Sequence, residues 1–509
     1  MIINIYWTGL FVLVPLVALV ISYQAIIRLL QPRNSEKVTN THDTDAKEFR
    51  DTFLRVYLVV MGSEWIQGPY MYSLFRDEKG LDERTVAALY ITMYTSAAIS
   101  ALFTGYMADR FGRRAACLVF CGIHSLASLS VMFDAVEILI AGRILGGIGL
   151  NLLWTAFESW MVTEYNTRVL DRNLFPLSAM FGIMTKYNCL TAILAGVLAH
   201  CVVLALGSKA DLFICGMALD AGAAALILRT WNENKGVNVT RGLSTCQDDL
   251  ASDTAEEIPS EKATTTLKDM RIWALSFASC CFEGTIFIFT FFWPETLQEA
   301  HDNQHPGDGD GIPYGVIFAT FMAAMVLGAI LFSLFTRNST MATTKHDSGF
   351  GAIMPTLLLG TTLFLSALSF LIAGLAKGEL HLFLAFLLLE SCNGVYVPSM
   401  AYYRSMIVND SSRALIYGLM NFPLFIFVVV ALCTTSSNGV SHRHIVFLFS
   451  AVLLLVAAVA VTLGLGILTI RQDFLRVSSR DTDDIDSIEK GGLDIPSVNQ
   501  GSIAFIEPA

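Results

Sequence analysis

Charge is what this chain has least of. Asp, Glu, Lys and Arg make up only 15% of its 509 residues, where soluble globular chains average about 25%. The difference has gone into apolar side chains, which are 54% of the sequence. Basic residues are the scarcer sign, 33 against 44 acidic, for a formal net charge of -11. That balance predicts no nucleic-acid partner, because phosphate binding needs a basic face. Cysteine outside apolar stretches is almost missing as well: of ten, only Cys246 lies in a polar segment. A disulfide framework is excluded and packing between helices is the expected role. No basic residue precedes the first apolar stretch, Trp7 to Leu30, and no small-residue cleavage site marks it. It therefore reads as a retained membrane helix and not as a signal peptide. Nucleophile elbows, phosphate loops and metal-ligand spacings are also lacking, so the chain is not expected to be an enzyme or to hold a metal or cofactor.

What is present is a series of apolar runs. Beyond the first, twelve candidates follow, near residues 52–75, 85–108, 115–133, 136–163, 175–206, 211–230, 272–294, 313–335, 352–376, 380–403, 414–435 and 444–470. Runs of this length in a bilayer must be helices, because hydrocarbon offers the backbone no other hydrogen-bond partner. The expected organisation is an amino-terminal membrane helix (1–30), a cytosolic linker (31–51), a six-helix bundle (52–230) and a polar inter-bundle loop (231–270). A second six-helix bundle (271–471) and a disordered acidic tail (472–509) complete it. Six helices plus six, split by one long polar loop, is the plan of a transporter built from two related halves.

The ten residues Gly105 to Arg114 place three cations and one carboxylate between two apolar stretches. Basic turns mark the cytosolic side. With this turn inside, the outer loops hold only six of the 33 Lys and Arg (Arg76, Lys79, Arg84, Lys209, Lys377 and Arg443), and two more, Arg143 and Lys186, lie within spans. That leaves 25 on the inner side, which puts the amino terminus outside and the carboxy terminus in the cytosol. Asp308 and Asp310 in an outer loop lack the rest of a calcium-ligand set and read as a solvated turn.

The same turn, Gly-Tyr-Met-Ala-Asp-Arg-Phe-Gly-Arg-Arg, resembles the G-x-x-x-D-R-x-G-R-[RK] motif of the major facilitator superfamily, matched at every defined position. The resemblance implies an all-α polytopic fold with two six-helix bundles around a cavity that opens alternately to each side. Here one further amino-terminal transmembrane helix is added. Five stretches are similar to a narrower group, the molybdate-anion transporter family. They are Trp65-Ile-Gln-Gly-Pro-Tyr70, Gly142-Arg-Ile-Leu-Gly-Gly147 with Phe157-Glu-Ser-Trp160, Phe282 to Phe289, Gly315 to Ala324, and Glu390 to Met400. That resemblance implies high-affinity uptake of molybdate at the plasma membrane.

Ionisable side chains cost free energy in hydrocarbon, so each is a site candidate by default. Glu64, Glu158, Glu283 and Glu390 fall on the first, fourth, seventh and tenth core helices. Two readings stand for them: struts between helices, or carboxylates that couple protons to transport. A tetrahedral dianion needs cations and donors. Arg143, with a planar fork suited to oxyanions, is the first candidate and Lys186 the second. Gln67, Tyr70, Asn151, Asn393 and Tyr396 are candidate neutral donors, each of which could equally bond a neighbouring helix. Breaks are expected at Gly68-Pro69 and near Gly394 and Pro398. Gly105, Asp109, Arg110, Gly112, Arg113 and Arg114 read as a cytosolic gate latch, with Glu164 a candidate partner. The expected partners are thus molybdate, protons and the lipid bilayer, for a chain expected to be a monomer. A carrier of a cation, a zwitterion or an organic anion, or a membrane receptor or scaffold that transports nothing, remains the alternative.

Overall fold

The computed structural model describes residues 5–30, 40–168, 177–234, 270–306, 311–343, 350–407, 413–434 and 442–464. All regular structure in these residues is helical. The helices are α1 (Ile5–Leu30), α2 (Asn40–Gln67), α3 (Glu83–Ala101), α4 (Thr104–Phe111), α5 (Arg113–Ser130), α6 (Val136–Thr167), α7 (Leu177–Leu206) and α8 (Asp211–Thr230). There follow α9 (Met270–Gln304), α10 (Tyr314–Thr343), α11 (Phe350–Leu375), α12 (Glu379–Ile407), α13 (Arg413–Cys433) and α14 (His442–Gly464). Among the described residues, nine are long and apolar enough to cross a bilayer. The expected spans α2, α3 and α5 are less apolar and pack among the nine.

Helices α2 to α8 form one bundle: α2 packs on α7 and α8, α5 on α6 and α8, and α3 on α6. Helices α9 to α13 pack together in a second, with α12 against α9, α10 and α11. The bundles meet where α7 crosses α10 and where α3 lies beside α13. The α7–α10 crossing is backbone on backbone, since a Cβ on Gly315 would lie 2.2 Å from the Gly196 carbonyl oxygen. Helix α1 lies on α10, with Tyr6 edge-on to Phe383 of α12 at 5.0 Å.

Two expectations change. Residues 40–51, read as part of the linker, are the first three turns of α2. Ala46, Phe49 and Phe53 recur at helical spacing and bury one face, with Phe49 6.1 Å from the Tyr165 ring and the Arg168 guanidinium 5.9 Å over Phe49. The break at Gly68-Pro69 is a 3₁₀ turn, Gly68–Tyr70, but α12 runs through Gly394 and Pro398 unbroken. Gly394 serves close packing: a Cβ there would lie 1.9 Å from the Met325 carbonyl oxygen of α10. Helix α3 is started by Asp82, which accepts the Thr85 hydroxyl at 2.5 Å, a bond that holds its carboxyl below the usual range.

Candidate functional site

Three helices of the first bundle converge on a line of ionisable groups. His124 of α5 stands between Glu64 of α2, whose Oε2 is 3.2 Å from Nε2, and Asp220 of α8, whose Oδ2 is 2.7 Å from Nδ1. Side-chain exposure falls along the line, from 33% at Glu64 through 12% at His124 to 0% at Asp220. The imidazole is held flat against Phe120, with ring centroids 5.3 Å apart. The Ser125 hydroxyl donates to Asp220 Oδ2 at 3.3 Å, while Asp220 Oδ1 has no hydrogen-bond partner among the described residues. The ring can donate to both carboxylates only as an imidazolium. When it is neutral, a proton has to reside on one of the acids. The arrangement is therefore a set of proton positions leading from a half-exposed carboxylate to a sealed one.

A neutral frame holds this line. Ser63 donates to the Gly216 carbonyl at 3.0 Å, Gln67 Nε2 to the Ser63 carbonyl at 3.1 Å, and Ser128 to Gln67 Oε1 at 2.9 Å. Gln67 fits because position 216 has no side chain: a Cβ there would lie 1.9 Å from its Nε2. The structure thus uses Gln67 as an interhelical strut. Asn151 does similar work, its Nδ2 donating to the Ala97 carbonyl and, at 2.7 Å, to the Ser100 hydroxyl, which ties α6 to α3.

Arg143 is in a different condition. It is 4% exposed; its Nη1 faces the Met71 sulfur at 3.3 Å and its guanidinium lies 5.5 Å over the Phe75 ring. Its Nε has no hydrogen-bond partner, and among the described residues no carboxylate comes within ion-pair distance of it. Glu64 and Tyr90 are within its electrostatic reach. Lys186 and Glu158, by contrast, are exposed, with Lys186 Nζ 6.0 Å from the Tyr187 ring.

In the second bundle, Glu283 of α9 accepts the Ser279 hydroxyl at 2.8 Å and the Tyr396 hydroxyl at 3.0 Å, with Tyr396 stacked on Phe282 at 3.9 Å. Glu390 is buried and accepts from Asn393 Nδ2 at 3.1 Å. The four glutamates therefore divide into one on a relay, two hydrogen-bonded within their bundle and one exposed.

Contacts between the bundles gather at the Tyr70 end of the molecule. The Tyr70 hydroxyl accepts the Gly315 N–H at 3.2 Å and lies 3.4 Å from His200. Phe291 meets Tyr72 and Tyr90 edge-on at 5.2 and 5.0 Å, and Phe287 meets Tyr94 at 5.2 Å. Arg76 pairs across the bundles with Glu295 at 4.0 Å, and Arg443, within the second half, holds Glu295 at 3.5 Å and also pairs with Glu299. Arg143, beside Tyr90, sits just behind this aromatic seal.

At the other end, the Gly105 to Arg114 turn docks on the residues after α8. Glu233 accepts the backbone N–H groups of Arg114 at 2.9 Å and Ala115 at 3.1 Å, capping α5. Gly112 has φ +120, and a Cβ there would lie 2.4 Å from the Glu233 carboxylate. Arg113 donates to the Ser159 carbonyl at 3.1 Å and Arg114 to the Leu228 carbonyl at 2.9 Å. Trp231 stacks on Trp160 at 3.8 Å. Glu164, the expected partner, instead accepts from Arg168 one turn away at 2.9 Å; the Asp109 side chain lies outside the described set. Sequence reasoning missed His124, Asp220 and Glu233. Asp220, lying within an apolar run, was open to the rule that selected the glutamates.

Comparison with known proteins follows the same lines. A family described as sugar transporters with 12 transmembrane segments matches residues 16–391. A molybdate-anion transporter of Takifugu rubripes is 28% identical over 475 residues, covering 89% of this chain and 94% of its own length. The protein of that name from Xenopus tropicalis is 27% identical, covering 89% and 93%. Among solved structures, the POT family transporter PepTSo superposes with a TM-score of 0.61 at 12% identity, covering 83% of this chain and 98% of its own. The nucleoside transporter NupG gives 0.55 at 14% identity, covering 82% and 98%. These structures share the fold.

Proposed function

The chain belongs to the major facilitator family of 12-span transporters described as sugar transporters, and from that premise we propose that it imports molybdate across the plasma membrane by alternating access. Relatives of that name align over most of its length. The observation that carries the anion reading is Arg143, a buried guanidinium with no carboxylate at ion-pair distance among the described residues. Burying an unpaired charge costs several kcal/mol, and a bound dianion offsets that cost. The cytosolic turn and the excess of basic residues on its side support an amino terminus outside and a carboxy terminus inside. In that orientation the aromatic seal at Tyr70 closes the outer entrance, and the state described here faces the cytosol.

Proton coupling follows from competition for Arg143. When ionised, Glu64 lies within reach of the guanidinium and competes with an incoming anion; when protonated, it does not. A negative charge within that reach weakens the binding of an anion beside the guanidinium, and its neutralisation by a proton removes the penalty. The line through His124 to Asp220 gives the proton somewhere to move when the anion leaves. Protons and molybdate then travel in the same direction.

Vesicles containing only this protein provide the test. Molybdate should enter them, faster under an inward proton gradient, and Arg143→Ala should abolish entry while the protein still reaches the membrane. Entry of another small solute in place of molybdate would replace the cargo reading and leave the transporter reading standing. Uptake indifferent to an imposed proton gradient would sink the coupling.

A further inference from the structure

His301 lies in the last turn of helix α9, and His305 follows one turn later, just past the helix end, its N–H bonded to the His301 carbonyl at 2.9 Å. Both rings point at the first residue of α12. His301 Nδ1 lies 3.0 Å from Glu379 Oε1 and His305 Nδ1 3.8 Å from Glu379 Oε2, with the two rings 4.8 Å apart. The three groups can each present one ligand atom, and these atoms all lie within 4.8 Å of one another. Glu379 is buried, and His305 Nδ1 is also shielded from solvent and makes no hydrogen bond among the described residues. A shielded, unsatisfied imidazole nitrogen facing a buried carboxylate is a costly arrangement for two groups that merely brace helix ends. It is a natural one for groups that share a cation.

We propose that His301, His305 and Glu379 bind a zinc ion that ties the end of α9 to the start of α12. Two imidazole nitrogens and one carboxylate oxygen suit zinc, whose bonds to them are about 2.0–2.2 Å long and whose tetrahedral ligands lie about 3.3–3.6 Å apart. The separations found here bracket that spacing, so small side-chain rotations close the site. Water fills the fourth position on the side where His305 is exposed. The site lies about two turns beyond Glu295, which pairs with Arg76 at the closed end of the bundle interface. Tyr6 of α1 lies beside Glu379, so the extra amino-terminal helix joins the same corner. Two histidines on one helix carry no signal by themselves; the third ligand is 74 residues away from His305 and on another helix.

The test uses the full chain, purified without a polyhistidine tag, stripped with a chelator and titrated with ZnCl₂ against a fluorescent competitor. One zinc should bind at least about tenfold more tightly than in Glu379→Gln, which keeps the hydrogen-bonding shape but loses the anionic ligand. Magnesium should not compete. Equal zinc affinity in the wild type and in a variant with His301→Ala, His305→Ala and Glu379→Gln combined would overturn the proposal. A second measurement needs no substitution: saturating zinc should shield His301 and His305, but not exposed His381, from diethyl pyrocarbonate as read by mass spectrometry. Unchanged modification of both histidines would likewise overturn it.

Discussion

Replacing Arg143 by methionine separates function from stability. In most buried positions the loss of an arginine removes ion pairs and lowers the melting temperature. Here the guanidinium is 4% exposed and its Nε is unpartnered; what it gains is the Phe75 ring at 5.5 Å and the Met71 sulfur at 3.3 Å. The ring contact is worth up to about 2 kcal/mol, against a desolvation cost of several kcal/mol. Replacing buried ionic groups by packed apolar ones is often neutral or stabilising by about 1–4 kcal/mol, and methionine packs well against methionine and phenylalanine. At about 2 °C or less per kcal/mol for a large chain, Arg143→Met without substrate should melt unchanged or about 2–5 °C higher. Molybdate uptake should meanwhile vanish. Melting is read by tryptophan fluorescence in detergent and uptake with radiolabelled molybdate in vesicles. A variant that melts several degrees lower and still transports would show that Arg143 is a packing residue, and the anion reading would fail with it.

Glu64→Gln should still exchange molybdate for molybdate across a vesicle membrane but no longer accumulate it in response to a proton gradient; normal accumulation would remove Glu64 from the coupling. Gly112→Ala puts a side chain at φ +120 and 2.4 Å from the Glu233 carboxylate, so it should destabilise by about 2 kcal/mol or more and lower the yield of folded protein. Glu233→Gln, which weakens only the cap on α5, should cost about 1 kcal/mol, and an equal or larger loss than for Gly112→Ala would contradict the docking described. Gly315→Val cannot keep the α7–α10 crossing, where even a Cβ would lie 2.2 Å from the Gly196 carbonyl oxygen. It should abolish transport and expose Tyr70, which is buried in the structure, to labelling.

Much of the fold was legible because hydrophobic length is a local property. A run of about twenty apolar residues must become a helix wherever it sits, and a basic turn must stay on one side. The start of α2 escaped because its first three turns are polar on most faces, and only Ala46, Phe49 and Phe53 betray the buried one. Of the candidate site, Arg143 and the four glutamates could be picked out one at a time, by the cost of charge in hydrocarbon. His124 escaped that screen because a histidine has a neutral form.

By itself, then, the sequence determined that this is an all-α membrane protein of two six-helix halves with an added helix. Only the tertiary structure decided which polar groups pair. Ser63 and His124 are 61 residues apart, and His124 and Asp220 are 96 apart; no periodicity along the chain relates them. Helix packing joins Glu64, His124 and Asp220 into one line, turns Gln67 and Asn151 into struts, and leaves Arg143 buried with a ring and a sulfur for company. Burial is set by each segment, but partnership is set by which helix faces which.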